Sequence, residues 1–163
     1  MPRPSLTSEQ VLTALAGTPP RIAALTAGLG PPQWRTPPPD GGWSAIEMLA
    51  HLRACADVWG DCIAAMLAHD RPTLRAVDPR TWIKRTDYLD QAGEPSLHAF
   101  ATQRTALLAV LEPLAPEGWA RAAIVTGAGK PLDRTVLFYA RWMATHEQPH
   151  LKQLDRVVTP LRR

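Results

Sequence analysis

Residues 44–69 read SAIEMLAHLRACADVWGDCIAAMLAH and carry the clearest helical pattern in the chain. Ser44, followed by Glu47 three positions later, forms the capping-box motif, which satisfies free backbone N–H groups at the start of a helix. Behind this cap, apolar residues recur at steps of three and four, as one face of an α-helix requires: Ile46, Leu49, Ala50, Leu52, Ala56, Trp59, Ile63 and Met66. The pattern predicts an amphipathic helix that ends near His69.

Three other segments have the same periodicity and are separated by breaks rich in proline and glycine. They span approximately residues 8–29, 96–114 and 133–158. In the first of them, Pro19-Pro20 predicts a kink or a short break, because proline removes a backbone donor and clashes with the preceding turn. Four amphipathic helices predict an all-α protein, a four-helix bundle that forms a single domain over residues 1–163.

The connections between these helices differ in length and character. Residues 33–42 contain three consecutive prolines and two glycines and predict an extended loop with a turn rather than a helix. Residues 70–95 form a long polar connection, with a helical turn predicted around residues 82–89, and a connection of this length usually crosses a bundle or covers a site. Residues 117–131 predict a short extended or hairpin-like excursion, and we find no alternating pattern that predicts a larger sheet.

Composition and charge argue against several classes of protein. Hydrophobic residues make up 45% and charged residues 20% of the 163, which is typical of a folded globular domain. The net charge is only +3 and the basic residues are spread along the chain, so nothing predicts nucleic-acid binding. No segment reaches the roughly 18 apolar residues of a membrane helix, and the first residues lack the apolar core of a signal peptide. We therefore expect a soluble cytoplasmic protein that acts on a small molecule, with no membrane or nucleic-acid partner.

The histidines predict a metal site. His146 and His150 are four apart, which places both imidazoles on one face of a helix, where they can bind one ion at about 2.0–2.1 Å. His51 lies on another predicted helix, and a bundle can bring facing helices together so that the three rings converge. We therefore predict one divalent metal ion held by His51, His146 and His150. The alternative is that these are ordinary, partly buried histidines; His69 and His98, at helix ends, are interpreted as structural and surface residues.

The segment around the histidine pair also fits a second pattern. His146-Glu147-Gln148-Pro149-His150 matches H-E-x-x-H, the motif of zinc metallopeptidases in which the glutamate is the general base. Glu147 is therefore the one catalytic candidate that the sequence offers. Against a peptidase, Pro149 does not suit a regular active-site helix, and no sheet is predicted to align a peptide substrate.

The two cysteines cannot form a disulfide with each other. Cys55 and Cys62 are seven apart in a predicted helix, so their Cα atoms would be about 10 Å apart, beyond the reach of a disulfide. We interpret both as small core residues. The alternative for Cys55, one turn beyond His51, is that it faces the metal site.

Two motifs together resemble those of a known family. Residues 42–52, GWSAIEMLAHL, resemble the W-S-x-x-E-h-l-x-H-L signature of the DinB/YfiT-like metalloenzyme superfamily, and residues 146–154, HEQPHLKQL, resemble its second signature, H-x-x-x-H-x-x-Q-L. They occur in the same order as in the family, and the resemblance extends from about Leu12 to Val158.

The resemblance implies both a fold and a chemistry. It implies a four-helix bundle of up-down-down-up topology, in which residues 70–95 are the crossover between the second and third helices. It also implies a three-histidine site from His51, His146 and His150 that commonly holds zinc or nickel, and a homodimer. Family members include S-transferases that use bacillithiol and maleylpyruvate isomerases that use mycothiol, so a low-molecular-weight thiol is an expected cofactor.

Three functions remain open at this point. In the first, the metal keeps an open position and activates a nucleophile for thiol transfer or isomerisation, since three neutral histidines are the ligand pattern of catalytic zinc. In the second, the protein is a non-catalytic, metal-binding stress-response protein whose ion ties two helices together. In the third, it is a metallopeptidase with Glu147 as its general base.

Overall fold

Four long helices form the body of the protein in the computed structural model, which describes Met1 and residues 3–162. They are α1 (Ser8–Thr26), α3 (Ala45–Ala68), α5 (Gly93–Leu111) and α7 (Val136–Val158). The shorter elements are the helices α2 (Pro31–Trp34), α4 (Pro79–Trp82) and α6 (Pro116–Trp119), the 3₁₀ turns Ile83–Arg85 and Thr159–Arg162, and the strands β1 (Thr73–Arg75), β2 (Ala122–Thr126) and β3 (Leu132–Thr135).

The direction of each long helix follows from the contacts at its ends. Helices α3 and α5 both lead toward the strands, whereas α7 begins directly after β3. Arg141 Nε donates to Leu6 O at 2.6 Å, and the Arg162 guanidinium donates to Leu25 O, so α1 runs alongside α7 in the same direction. Helices α1 and α7 are therefore antiparallel to α3 and α5. This confirms the predicted four-helix bundle of up-down-down-up topology.

A polar layer crosses the middle of the bundle between two apolar clusters. One cluster contains Ile22 and Phe100, and the other contains Leu15 and Met143. Between them lie three buried polar residues from three helices: Thr18, Arg104 and Glu147. Helix α1 packs against both α5 and α7, and this layer links the three helices through the centre of the fold.

Helix α1 runs through Pro19 and Pro20 without the break that we predicted. Pro19 has no N–H to donate to the carbonyl of Leu15, four residues earlier. That carbonyl accepts a hydrogen bond of 2.9 Å from Arg104 Nη1 instead. The carbonyl freed by Pro20 belongs to the exposed Ala16 and can be solvated. The helix survives because a side chain from α5 replaces one of its missing backbone bonds.

A small mixed sheet covers one end of the bundle. Strand β2 pairs parallel with β1 and antiparallel with β3, so that Ile124 lies opposite Thr73 on one side and Asp133 on the other. The β2–β3 pair confirms the hairpin-like excursion. Strand β1 was not predicted, because its three residues are too few to show an alternating pattern. Several expected boundaries also differ: α2 extends into the predicted loop, and the helical turn of the long connection begins at Pro79 rather than near residue 82. The end of α1, both ends of α5 and the start of α7 each differ by three residues from the predicted positions.

The long connection is fastened to α3 by polar side chains. Asp57 accepts hydrogen bonds from Trp82 Nε1 at 3.0 Å and from Tyr88 Oη at 2.5 Å. Arg53 donates to Gln91 Oε1 at 2.6 Å and stacks 3.8 Å above the Tyr88 ring. The crossover is therefore part of the folded structure. Among the described helices, none is long and apolar enough to cross a membrane.

Candidate metal centre

Two neighbouring helices bring the three predicted histidines together. His51 lies in the second turn of α3, whose start is set by Ser44: its Oγ accepts from Glu47 N at 3.4 Å and donates to Glu47 Oε1 at 3.0 Å. His146 and His150 lie one turn apart on α7, the helix packed against α3. The cap sets where α3 begins, and the packing of α3 on α7 then brings the three imidazole rings next to one another.

The imidazole nitrogens are close to one another. His51 Nε2 lies 3.3 Å from His146 Nε2, and His150 Nε2 lies 3.2 Å from the same atom. The ring centroids of His51 and His150 are 4.8 Å apart. The other two centroid distances are 5.1 Å for His51–His146 and 4.6 Å for His146–His150, so the three rings form a nearly equilateral triangle.

This arrangement fits a bound metal ion. Ligands at about 2.0–2.1 Å from an ion, separated by the tetrahedral angle, are about 3.3–3.4 Å apart, close to the two distances that join these rings. Within the described residues, the Nδ1 atoms of His146 and His150 are buried without a hydrogen-bond partner, so both rings make their polar contacts through Nε2. Imidazole is a ligand for zinc, nickel, copper and iron alike.

Burial keeps the three rings in the form that binds metals. It lowers the pKa of His51 to about 4, with the His150 and Arg80 charges adding to the effect. Burial, together with the charges of His150 and His51, lowers the pKa of His146 to about 4. The pKa of His150 is lowered by the same cause, although Gln153 and the Glu147 charge oppose the shift. The rings are neutral at pH 7, and a neutral imidazole has the free electron pair that coordination requires.

Cys55 also belongs to this group, which agrees with the alternative that we left open for it beside a position in the core. Its Sγ lies 3.6 Å from His51 Nε2, and ligand atoms of His51, Cys55 and His146 all lie within 4.8 Å of one another. The side chain is buried, and burial raises the pKa of its thiol to about 12, with Glu147 contributing. Cys62 is half-buried farther along α3, and both cysteines are free, as predicted.

Aromatic rings surround the histidines. Trp43 lies 4.9 Å from the His51 ring and 6.0 Å from the His150 ring, centroid to centroid. The Trp59 ring meets His146 edge-on at 5.0 Å. None of these contacts was predicted. Trp43 belongs to the first motif, and Trp59, eight residues after His51, is turned from it by about 80° around the axis of α3.

A cavity of about 730 Å³ opens beside His146. Its wall combines the apolar side chains of Leu6, Phe138, Trp142 and Pro149 with polar groups, among them the Arg141 cation and the Asp133 carboxylate. The Phe138 and Trp142 rings stack at 5.9 Å, and Trp142 is half exposed. A cavity of this size and composition suits a small molecule with an apolar body. A second cavity, of about 850 Å³ between α1 and α7, has none of the three histidines in its lining.

Glu147 does not occupy the position of a general base. Its carboxylate is 2% exposed and pairs with the Arg104 guanidinium, and Oε2 also accepts from Thr18 Oγ1 at 2.6 Å. One position along a helix is a rotation of about 100°, which turns Glu147 from the face of His146 into the polar layer of the core. The residue that we named as the catalytic candidate is thus placed as a buried ion-pair partner, and the metallopeptidase interpretation loses its base.

Pro149 leaves the histidine pair intact. Helix α7 is continuous through it, and the carbonyl that its missing N–H frees belongs to the exposed Thr145. His150 Nε2 remains 3.2 Å from His146 Nε2. His69 and His98 are exposed and lie outside the group; exposure was predicted for His98, and His69 lies at the end of α3, where we placed it as a structural residue.

A four-helix bundle that gathers three histidines from two of its helices defines a class of small metalloproteins. The sequence model of the DinB superfamily matches residues 14–154. The chain therefore belongs to the DinB superfamily, as its two motifs indicated.

Relatives and solved structures agree with this placement. A protein of Geobacillus thermodenitrificans named "Putative metal-dependent hydrolase" is 25% identical over 153 residues, which cover 89% of this chain and 82% of the relative. A Geobacillus kaustophilus protein of the same description is 25% identical over 156 residues, covering 91% and 84%. The structure of YfiT from Bacillus subtilis, described as a probable metal-dependent hydrolase with an unusual four-helix bundle topology, has a TM-score of 0.73, 22% identity and coverage of 96% and 91%. The four-helix bundle protein TT2238 has a TM-score of 0.61, 18% identity and coverage of 92% and 99%.

Proposed function

We propose that this protein is a metal-dependent enzyme in which His51, His146 and His150 hold one divalent ion, zinc or nickel, and that the bound ion activates a low-molecular-weight thiol for transfer to a small electrophile. The observation that carries the proposal is the approach of the Nε2 atoms of His51 and His150 to His146 Nε2, at 3.3 and 3.2 Å. A divalent ion in such a site lowers the pKa of a bound thiol or water, which supplies a nucleophile at neutral pH.

The chain's own residues would bind and orient the reactants. The cavity beside His146 offers the faces of Phe138 and Trp142 to the apolar body of the electrophile. The Arg141 guanidinium, held at Nε by Leu6 O at 2.6 Å, brings a positive charge to the same wall. Trp43 packs against the His51 ring and Trp59 against the His146 ring, so both would border the bound reactants. We assign no general base, because Glu147 is committed to Arg104.

Hydrolysis is the second candidate, and the names of the two Geobacillus relatives favour it. The same site would then activate water instead of a thiol. We further propose, on the family resemblance alone, that the protein is a cytoplasmic homodimer; light scattering of the purified protein tests its mass in solution.

The first experiment tests the ligands. Untagged protein is analysed for bound metal, and His51→Ala and His146→Ala are compared with His69→Ala and His98→Ala, which alter exposed histidines outside the group. We expect the first pair to lose the metal and the second pair to keep it, with circular dichroism confirming the helical fold of all four. Retention of metal by His146→Ala would remove the site.

The second experiment tests the chemistry. Metal-loaded and metal-free proteins are incubated with small electrophiles, with and without a panel of thiols. Consumption that needs both metal and thiol supports thiol transfer, and consumption that needs metal alone supports hydrolysis. A metal that only raises thermal stability, with no turnover, points to the non-catalytic alternative. Trp142→Ala should raise KM while metal content stays unchanged.

A further inference from the structure

We propose that Cys55 is a further ligand of the same metal ion, binding through Sγ beside His51 and His146. The inference rests on the proposed metal site and adds to it a residue outside the three-histidine set. It concerns which atoms hold the ion, so it can fail while the three-histidine site stands.

The distances at Cys55 are those of a shared ion. Around a tetrahedral zinc ion, with nitrogen at about 2.0–2.1 Å and thiolate sulfur at about 2.3 Å, a nitrogen and a sulfur ligand lie about 3.6 Å apart. Cys55 Sγ is 3.6 Å from His51 Nε2. The His51–His146 distance of 3.3 Å agrees with the same geometry. The ligand atoms of His51, Cys55 and His146 all lie within 4.8 Å of one another, so these three residues form one candidate set of ligands.

Helix α3 places the Cys55 side chain beside the histidine group. Cys55 follows His51 by four residues on α3, so the two side chains lie on one face, one turn apart. The side chain is 2% exposed, and its sulfur contacts His51 Nε2, an atom that can itself bind a cation. Cys62, seven residues further along α3, lies against Tyr139 instead, and it provides a matched control on the same helix.

Coordination by Cys55 changes what the site can do. When the sulfur binds, its S–H bond breaks, the proton passes to solvent, and the sulfur electron pair forms the bond to the ion. With His150 as the fourth ligand, three histidines and one thiolate would fill the positions of a tetrahedral ion, and an incoming nucleophile would then have to displace the thiolate or raise the coordination number to five. A thiolate ligand also shifts preference toward softer ions such as zinc.

Cobalt(II) provides a direct readout that does not depend on turnover. The full-length protein is loaded with one equivalent of Co²⁺, with a phosphine reductant in place of any added thiol, and its near-ultraviolet absorption is recorded. We expect a sulfur-to-cobalt charge-transfer band in the unaltered protein and in Cys62→Ser, and its complete loss in Cys55→Ser and Cys55→Ala. Competition with a chelator should show a metal affinity at least about 10-fold lower in the Cys55 variants. Even the substitution of a residue that only hydrogen-bonds to a ligand typically lowers metal affinity about 10–100-fold.

X-ray absorption of the unaltered zinc-loaded protein decides the question if the variants do not fold. A scattering shell at about 2.3 Å indicates sulfur, whereas nitrogen ligands alone lie at about 2.0–2.1 Å. Bound metal without a sulfur shell, or a charge-transfer band that persists in Cys55→Ser, overturns the assignment of Cys55 and leaves the histidine site standing. Unchanged metal content in His146→Ala would instead overturn the histidine site.

Discussion

Glu147→Gln should destabilise the protein strongly without removing its metal. In the folded chain, Arg104 and Glu147 are each 2% exposed and form a doubly hydrogen-bonded pair inside the polar layer. The glutamine keeps an oxygen for Thr18 but leaves the Arg104 charge buried and uncompensated. Removing one partner of such a pair costs about 3–5 kcal/mol of unfolding free energy. For a domain of this size, that corresponds to a fall in Tm of about 6–20 °C.

The assay is denaturant and thermal unfolding of metal-free protein, together with elemental analysis of the loaded form. Asp133→Asn, which breaks the exposed Arg71–Asp133 pair, is the control and should change stability by no more than about 1 kcal/mol. If Glu147→Gln proves as stable as the parent but loses metal-dependent turnover, the carboxylate acts on the substrate and our placement of it in the core is refuted.

A double variant separates the charge from the packing. Arg104→Met with Glu147→Leu removes both charges together, and replacing a buried pair with apolar side chains is often neutral. Recovery should be incomplete, because the Leu15 carbonyl opposite Pro19 then loses its donor, which costs about 1–3 kcal/mol. Full recovery would show that Arg104 does not support α1 at this position.

Two further predictions concern the fold. Gly93→Ala should lower the free energy of unfolding by about 1–3 kcal/mol, because the new Cβ would lie 2.1 Å from ring atoms of the buried Trp34. A Cβ at Gly17 would have nothing within 4 Å, so Gly17→Ala should raise the free energy of unfolding by about 0.5–1 kcal/mol. Denaturant titration measures both changes. In a spectrophotometric titration, both tyrosines should ionise above pH 10, because burial raises the pKa of Tyr88 to about 12 and also raises the pKa of Tyr139. The stability that the neutral phenols contribute is complete below about pH 10 and falls as pH rises toward 12. Phenols of the folded protein that titrate near pH 10 would contradict this.

Residues a few positions apart were sufficient to predict the helices and half of the metal centre. The Ser44 cap and the apolar spacing behind it depend on contacts within one or two turns, so α3 was predicted from Ala45 to within a residue of its end. The pairing of His146 with His150 has the same origin, because the pitch of a helix places residues four apart side by side. Spacing along one helix says nothing about a neighbour, so the convergence of His51 on them was suggested by the predicted bundle and by the family motifs.

Contacts between distant segments decided the rest. Whether α1 breaks at Pro19 depends on Arg104, 85 positions away, and whether Glu147 is a base or an ion-pair partner depends on the same residue. The three residues of β1 become a strand only because β2 lies beside them. Cys55 reads as an ordinary small core residue until α7 brings His146 within ligand distance. Helical periodicity specifies a direction around one axis, but which atoms meet in that direction is set by the packing of the four helices.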